Sequence, residues 1–472
     1  MQKEYDIKSA QSIVDHGKKL LGHSLRELYP DAEKFNGKGG LGTAVESYHY
    51  NYQPNSESRP DFPEAGLELK CTPLKLLADN SMAAKERLVL NIINYIEEAQ
   101  KTFETSSFWS KNKFLLLMFY LHESGVNPVD MLFKLIRTWK FPNEDLKIIK
   151  DDWSKIHEMI LDGKADELTE GETFYLAACM KGSKAGEDMR PQPFSANLAQ
   201  QRAYSLKTSY INKIILDSYL NPNIRHQLNI SPERLASLEK KYSSESVVKS
   251  IKAYKRDETF EQLIERRIKP YYGKSVAKIV KKLKVQLNPS SKDFAYHVCR
   301  AILGVKSRKI QEFENAGVSL KTIVLEAKRD YIVESMSFPY IRFMDIVNQK
   351  WEDSEWYNML TSKFLFVVFR KSSDDVKQNM TLEKVFFWNM PFADLSVAEE
   401  LWNDTKKKVE SGDYEHFITS KSHPVCHVRP HGTKGQTVQT PQGTREQPKC
   451  FWLNNNYILD IVKTKIDIQP EE

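Results

Sequence analysis

Asp61, Glu68 and Lys70 stand in the stretch "RPDFPEAGLELKCTP", residues 59–73, with the spacing D-x6-E-x-K. A strand sends successive side chains to opposite faces, so Glu68 and Lys70 share one face while Leu67 and Leu69 share the other. Two carboxylates with a lysine beside them suit metal-assisted phosphodiester hydrolysis. The carboxylates hold a hard divalent cation such as Mg²⁺. The amine orients or helps deprotonate the attacking water and offsets charge in the transition state. Pro63 and Gly66 turn the chain between Asp61 and the strand, so that Asp61 reaches back to the metal. The same E-x-K spacing recurs at Glu239/Lys241 and at Glu326/Lys328, and charged residues ordinarily fill solvated strand faces. Spacing alone therefore leaves two readings open, a wet face and an active site.

The elements that must position these residues alternate in type. A helical stretch from about Ser9 to Tyr29 leads to the Gly-rich "FNGKGGLGTAVE", and a helix from about Leu41 follows. After the quoted strand, "AAKERLVLNIINYIEEAQ" from Ala83 to Gln100 has apolar residues at helical spacing. A buried strand, "FLLLMFYL", comes next. Strands interleaved with helices predict a mixed α/β class. A chain of 472 residues exceeds the usual single core. Asn221 to about Glu258 is polar and lysine-rich and reads as a charged helical connector between two domains. The apolar run Phe114 to Leu121 is far too short to span a bilayer, and Met1 to Gly22 has no apolar signal core. The expected location is the cytoplasm. Cys71, Cys179, Cys299, Cys426 and Cys450 are scattered without a C-x-x-C pair, which argues for reduced thiols and against a disulfide framework or zinc ribbon. A net charge of +6 is compatible with a polyanionic partner.

Internal repeats organise the whole chain. "LLGHSLREL" from Leu20 resembles "YYGKSVAKI" from Tyr271, and "EAGLELKCT" from Glu64 resembles "NAGVSLKTI" from Asn315. "KFLLLMFY" from Lys113 resembles "KFLFVVFR" from Lys363. Further matches align Trp153 with Trp402, Gly163 with Gly412, Leu206 with Leu453 and Tyr210 with Tyr457. They keep their order throughout, as a duplicated unit does. The units run from Met1 to about Leu220 and from about Thr259 to Glu472, with residues 221–258 between them.

Context decides between the two readings of the quoted strand. "DFPEAGLELKCTP", preceded by "KGGLGTAVE" and followed by "FETSS", resembles the MutH family of endonucleases, which includes type II restriction endonucleases with two MutH-like units in one chain. Lys38, Gly39, Gly42 and Glu46 match its first element. Asp61, Phe62, Glu64, Gly66, Glu68, Leu69 and Lys70 match the second, and Glu104, Thr105 and Ser106 the third. "RAYSLK", Arg202 to Lys207, is similar to its C-terminal element. The resemblance implies two tandem PD-(D/E)XK units, each a mixed central sheet flanked by helices. It implies a Mg²⁺ site at Asp61, Glu68 and Leu69, Lys70 beside the attacking water, and Glu46 as a further acidic group. It also implies double-stranded DNA as substrate, GATC as target, a monomer that dimerises on DNA, and a cognate methyltransferase in the same system.

The second copy lacks the acidic groups. Glu46 aligns with Arg300 and Glu68 with Ser319, whereas Lys70 keeps a counterpart in Lys321. One catalytic centre per chain follows, with the second unit acting as a DNA-binding or dimerisation effector. Lys38, Lys111 and Lys113 are candidates for phosphate contact, as are Arg202 and Lys207 at the C-terminal element. Lys181 and Lys184 lie in a Gly-containing loop that the resemblance places in the major groove, and "CHVRPHGTKG" offers Arg429 as the second unit's counterpart. Two other functions compete: a mismatch-repair nicking enzyme, which resembles one unit only, and a non-catalytic DNA-binding regulator.

Overall fold

The structure is a computed structural model that describes residues 4–32, 40–54, 59–181, 188–291, 293–332, 335–374, 376–433 and 435–466. Two compact units emerge. The first gathers Met1–Leu168, Glu172–Ala253 and Gln311–Gly317, and the second gathers Thr169–Gly171, Tyr254–Ile310 and Val318–Glu472. No helix among the described residues is long and apolar enough to cross a membrane.

In the first unit the central sheet has the order β2-β1-β4-β5. Its strands are β1 (Glu68–Leu76), β2 (Met82–Ala84), β4 (Leu115–Leu121) and β5 (Phe133–Trp139), while β3 (Leu88–Ile92) belongs elsewhere. β1 runs parallel to β4 and β4 antiparallel to β5. The first five residues of β4 are fully buried, as expected of a central strand covered on both faces. A second sheet places the strand Arg202–Leu206 between β3 and β6 (Leu176–Met180).

The helix expected over Ala83–Gln100 is replaced by β2, β3 and one short helical turn, Tyr95–Glu98. Leu88 and Leu90 are buried with Val89 between them partly exposed, and β3 pairs with Arg202–Leu206 through an irregular register. A partner more than a hundred residues away overrides the local period. The expected Ser9–Tyr29 helix is cut in three, Ala10–Gly17, Lys18–Leu20 and Leu25–Leu28. Gly22 breaks it at φ +84°, a left-handed conformation that favours glycine. Within residues 221–258, the stretch up to Ala253 packs with the first unit instead of standing free. Arg234 and Lys241, on the helix Pro232–Lys241, pair with Asp79, and Leu238, Val247 and Val248 are buried.

The second unit repeats this plan. Ser319–Leu325 runs parallel to Phe364–Arg370, which is antiparallel to Thr381–Trp388. Ser319 pairs with Phe364 as Glu68 pairs with Leu115, and Phe364 pairs with Trp388 as Leu115 pairs with Trp139. Gly273 is left-handed at φ +70° before the capping Ser275, as Gly22 is before the capping Ser24. The register corrects one sequence match by a residue. Glu68 N–H donates to Phe114 O and Ser319 N–H to Lys363 O, so Lys363 stands where Phe114 does, not Lys113.

Candidate active site

The turn that returns Asp61 to β1 is closed by main-chain bonds in both directions between Phe62 and Leu67. Gly66 completes it at φ +62°, a conformation costing an L-residue about 1–2 kcal/mol. Phe62 and Leu67 are buried, which fixes the turn to the core. Asp61 thereby reaches the start of the strand. Its Oδ2 accepts from Leu69 N–H at 2.9 Å, and its own N–H donates to Glu68 Oε2 at 3.1 Å.

Glu68 and Lys70 share a face, and Lys70 Nζ lies 2.6 Å from Glu68 Oε1. Lys111 Nζ stands 3.6 Å from the same oxygen. Lys111 comes from the helix Ser107–Asn112, whose N-terminus is capped by Ser106 of the E-T-S turn. Glu98, 2% exposed, anchors that helix: its carboxylate accepts from the Ser107 hydroxyl, Trp153 Nε1 and Tyr204 OH. Lys111, a candidate phosphate contact, thus also stands beside Glu68. Glu98 was missed because a lone Glu in an apparent amphipathic helix gives no signal of burial.

Glu46 sits on a π-helical turn, Val45–His49, that continues the helix Gly40–Ala44. Such turns often mark functional sites. Burial, then the charges of Asp61 and Glu68, push its carboxyl up to about 7, with Lys70 and Lys111 opposing. Burial also raises Glu68, 1% exposed, to about 7 despite its two lysine neighbours. Desolvation thus outweighs ion pairing here. Leu69 is buried at the centre of the group.

The carboxylates do not form a ready coordination sphere. Among the described residues, no group of three or more His, Cys, Asp or Glu side chains is placed to hold a metal, and the two lysines lie against Glu68 instead. The donor chemistry nevertheless fits a hard divalent cation: Glu46, Asp61 and Glu68 supply only oxygens, and like charge and burial strain Glu46 and Glu68 in a way that a cation relieves.

The other expected contacts divide. Lys113 is exposed at the end of the Lys111 helix. Lys181 follows β6, its N–H donating to Gln201 O at 2.8 Å. Lys38 and Lys184 lie outside the described residues. Arg202 is corrected: it is 2% exposed and its guanidinium donates to Ala178 O at 2.8 Å, so the side chain is buried in the fold instead of presented at the surface. Lys207 is half-buried, its amine donating to Thr173 O and its charge acting on buried Asp152. Arg202 occupies the matched motif because it holds the sheet, and motif matching does not separate that role from DNA contact. Arg429 is exposed, its guanidinium 3.7 Å above the Trp452 ring. Its register partner is Cys450, as Cys179 pairs with Ala203. Arg429 therefore corresponds to Cys179, and Lys181 to His431.

In the second unit Ser319 takes the place of Glu68 and Lys321 that of Lys70. The helix Glu355–Leu360, capped by Ser354, matches the helix capped by Ser106, which puts Met359 where Lys111 stands. Glu312 is seven residues before Ser319, as Asp61 is before Glu68, but it packs with the first unit. Its carboxylate is taken up by the Val247 and Val248 N–H groups and the Ser246 hydroxyl. Arg300 donates to Ser307 O at 2.7 Å.

Comparison with known proteins agrees with this layout. The family described as "DNA mismatch repair enzyme MutH" matches twice, over residues 50–152 and 303–400. The type II restriction enzyme Sau3AI of Staphylococcus aureus is 32% identical over 504 aligned residues, covering 95% of this chain and 97% of that protein. The chain belongs to the MutH-like family of restriction endonucleases. The mismatch repair protein MutH of Vibrio campbellii is 23% identical, covering 45% of this chain and 96% of its own length. MutH of Shewanella woodyi is 25% identical over 38% of this chain. Two family matches in one chain accord with tandem restriction-endonuclease-like units.

Proposed function

We propose that this protein is a Mg²⁺-dependent type II restriction endonuclease that hydrolyses double-stranded DNA at GATC. The catalytic domain is residues 1–220, with residues 259–472 as a DNA-binding or dimerisation effector and 221–258 joining them. It acts in the cytoplasm beside a methyltransferase that protects the host's own sites.

One observation carries the reading. The first unit joins Asp61, Glu68, Lys70, Lys111 and Glu46 in a single cluster, in a chain related end to end to a restriction enzyme. MutH relatives cover less than half of it, which disfavours a strand-nicking repair role. Asp61, Glu68 and Leu69 would hold a divalent cation, which when bound would supply Lewis-acid polarisation of the phosphate and lower the pKa of a water. The protein's own groups do the rest. Lys70 orients the water and Lys111 offsets charge on the phosphate oxygens. Glu46, raised to about 7, is poised to hold a proton near neutrality. Lys113, Lys181 and Arg429 grip or read the duplex.

A palindrome has two equivalent scissile bonds, and one centre per chain cuts one of them. Two chains meeting on DNA then complete the break. Incubating a plasmid of known sequence with the protein in Mg²⁺ buffer and in EDTA, then mapping the ends, tests the reading. Ends confined to GATC and seen only with the metal are expected. Cuts at another sequence overturn the target, and intact plasmid overturns the activity.

A further inference from the structure

The strand Ser319–Leu325 presents the catalytic face with its chemistry inverted. Lys321 occupies the register position of Lys70. Around Lys70 stand Glu68, Asp61 and Glu46, and Lys111 lies opposite. The residues at the corresponding positions are Ser319, Met359 and Arg300, and the carboxylate of Glu312, in the first unit, is engaged by the main-chain N–H groups of Val247 and Val248. Among the described residues Lys321 has neither an acceptor nor a carboxylate partner, and its amine lies 5.6 Å over the Phe338 ring. Burial alone pulls its pKa down.

A partly buried ammonium without an acceptor is a standing cost, removed when an anion arrives. In the first unit, carboxylates repel a phosphate unless a cation intervenes. In the second the surviving side chains are a donor amine and, two residues away on the same face, a donor hydroxyl. Phosphate oxygens accept from both, and a charge-assisted bond of this kind is strong. The Phe338 face steadies the ammonium.

We propose that Lys321 and Ser319 form a seat for a DNA backbone phosphate that works without any divalent cation. The proposal rests on the reading of the second unit as a DNA-gripping effector and deepens it: the former catalytic face becomes a clamp that cannot cut.

The test uses the full chain in EDTA with a fluorescent duplex carrying two GATC sequences, and follows anisotropy from 50 to 200 mM salt. Lys321→Met is expected to weaken binding roughly tenfold and to flatten the slope of log K against log salt by about 0.9, one phosphate's share. Lys321→Arg should restore both. In the absence of DNA, Lys321→Met should melt no lower than the parent, because it removes an unpaired charge. Parental affinity and slope in Lys321→Met, with weakened binding in Arg429→Ala, would overturn the seat and leave the effector reading standing. Parental behaviour in both variants would overturn both. Weakened binding that Lys321→Arg does not restore, with a lowered melting point, would mark Lys321 as structural and also overturn the seat.

Discussion

Replacing Glu46 by Gln should stabilise the metal-free protein at high pH and leave it unchanged at low pH. The carboxyl is raised from 4.5 to about 7, chiefly by burial and then by Asp61. A rise of that size is worth about 3 kcal/mol, and roughly 2 kcal/mol after allowing for screening at a partly exposed group. The sign follows from proton counts. Between pH 4.5 and 7 the folded protein holds the proton that the unfolded chain releases, so stability falls as pH rises through this window and is flat above it. Gln cannot ionise and removes that loss. Thermal unfolding of parent and Glu46→Gln in EDTA, from pH 4.5 to 8, should show curves that coincide at the acid end. They should diverge by about 2 kcal/mol, a few degrees in Tm, at pH 8. A difference that is constant across pH, or a variant less stable at pH 8, would refute the burial of Glu46 beside Asp61 and Glu68.

Other consequences are independent of that titration. Gly66→Ala should slow cleavage and cost about 1 kcal/mol in a denaturant melt; nothing stands within 4 Å of an added Cβ, so the loss is backbone strain at φ +62°. Gly66→Asn, which tolerates this conformation, should recover most of the rate. Glu98→Ala should destabilise by about 3 kcal/mol, since it strands several buried donors, and chemical denaturation measures this directly. Lys111→Met should reduce single-turnover cleavage on the order of a hundredfold with little change in DNA affinity, and an equal loss in both would assign it to binding alone. Arg202→Met should leave the salt slope of DNA binding at the parental value, because its guanidinium bonds Ala178.

The candidate catalytic strand is legible because alternation is a local property: Glu68 and Lys70 share a face whatever the rest of the chain does. The turn was legible for the same reason, since Pro63 and Gly66 act on neighbouring backbone. The repeat was legible because collinear matches sum weak signals over hundreds of residues, although a one-residue slip at Lys363 needed the strand register to correct it. What stayed hidden was set by distant partners. β3 reads as part of a helix until Arg202–Leu206 pairs with it. Arg202 looks like a DNA contact until its burial is seen. Lys111 meets Glu68 only because Glu98, Trp153 and Tyr204 lock its helix in place, and no spacing rule encodes that.

In the proposed function, the Asp61–Glu68–Lys70 cluster of the first unit breaks the DNA strand. The most direct measurement is the single-turnover rate of plasmid cleavage in Mg²⁺ by Asp61→Ala, with binding of the same plasmid in EDTA as a control. A loss of roughly a thousandfold or more in rate with binding retained is predicted. Cleavage at the parental rate would contradict the account.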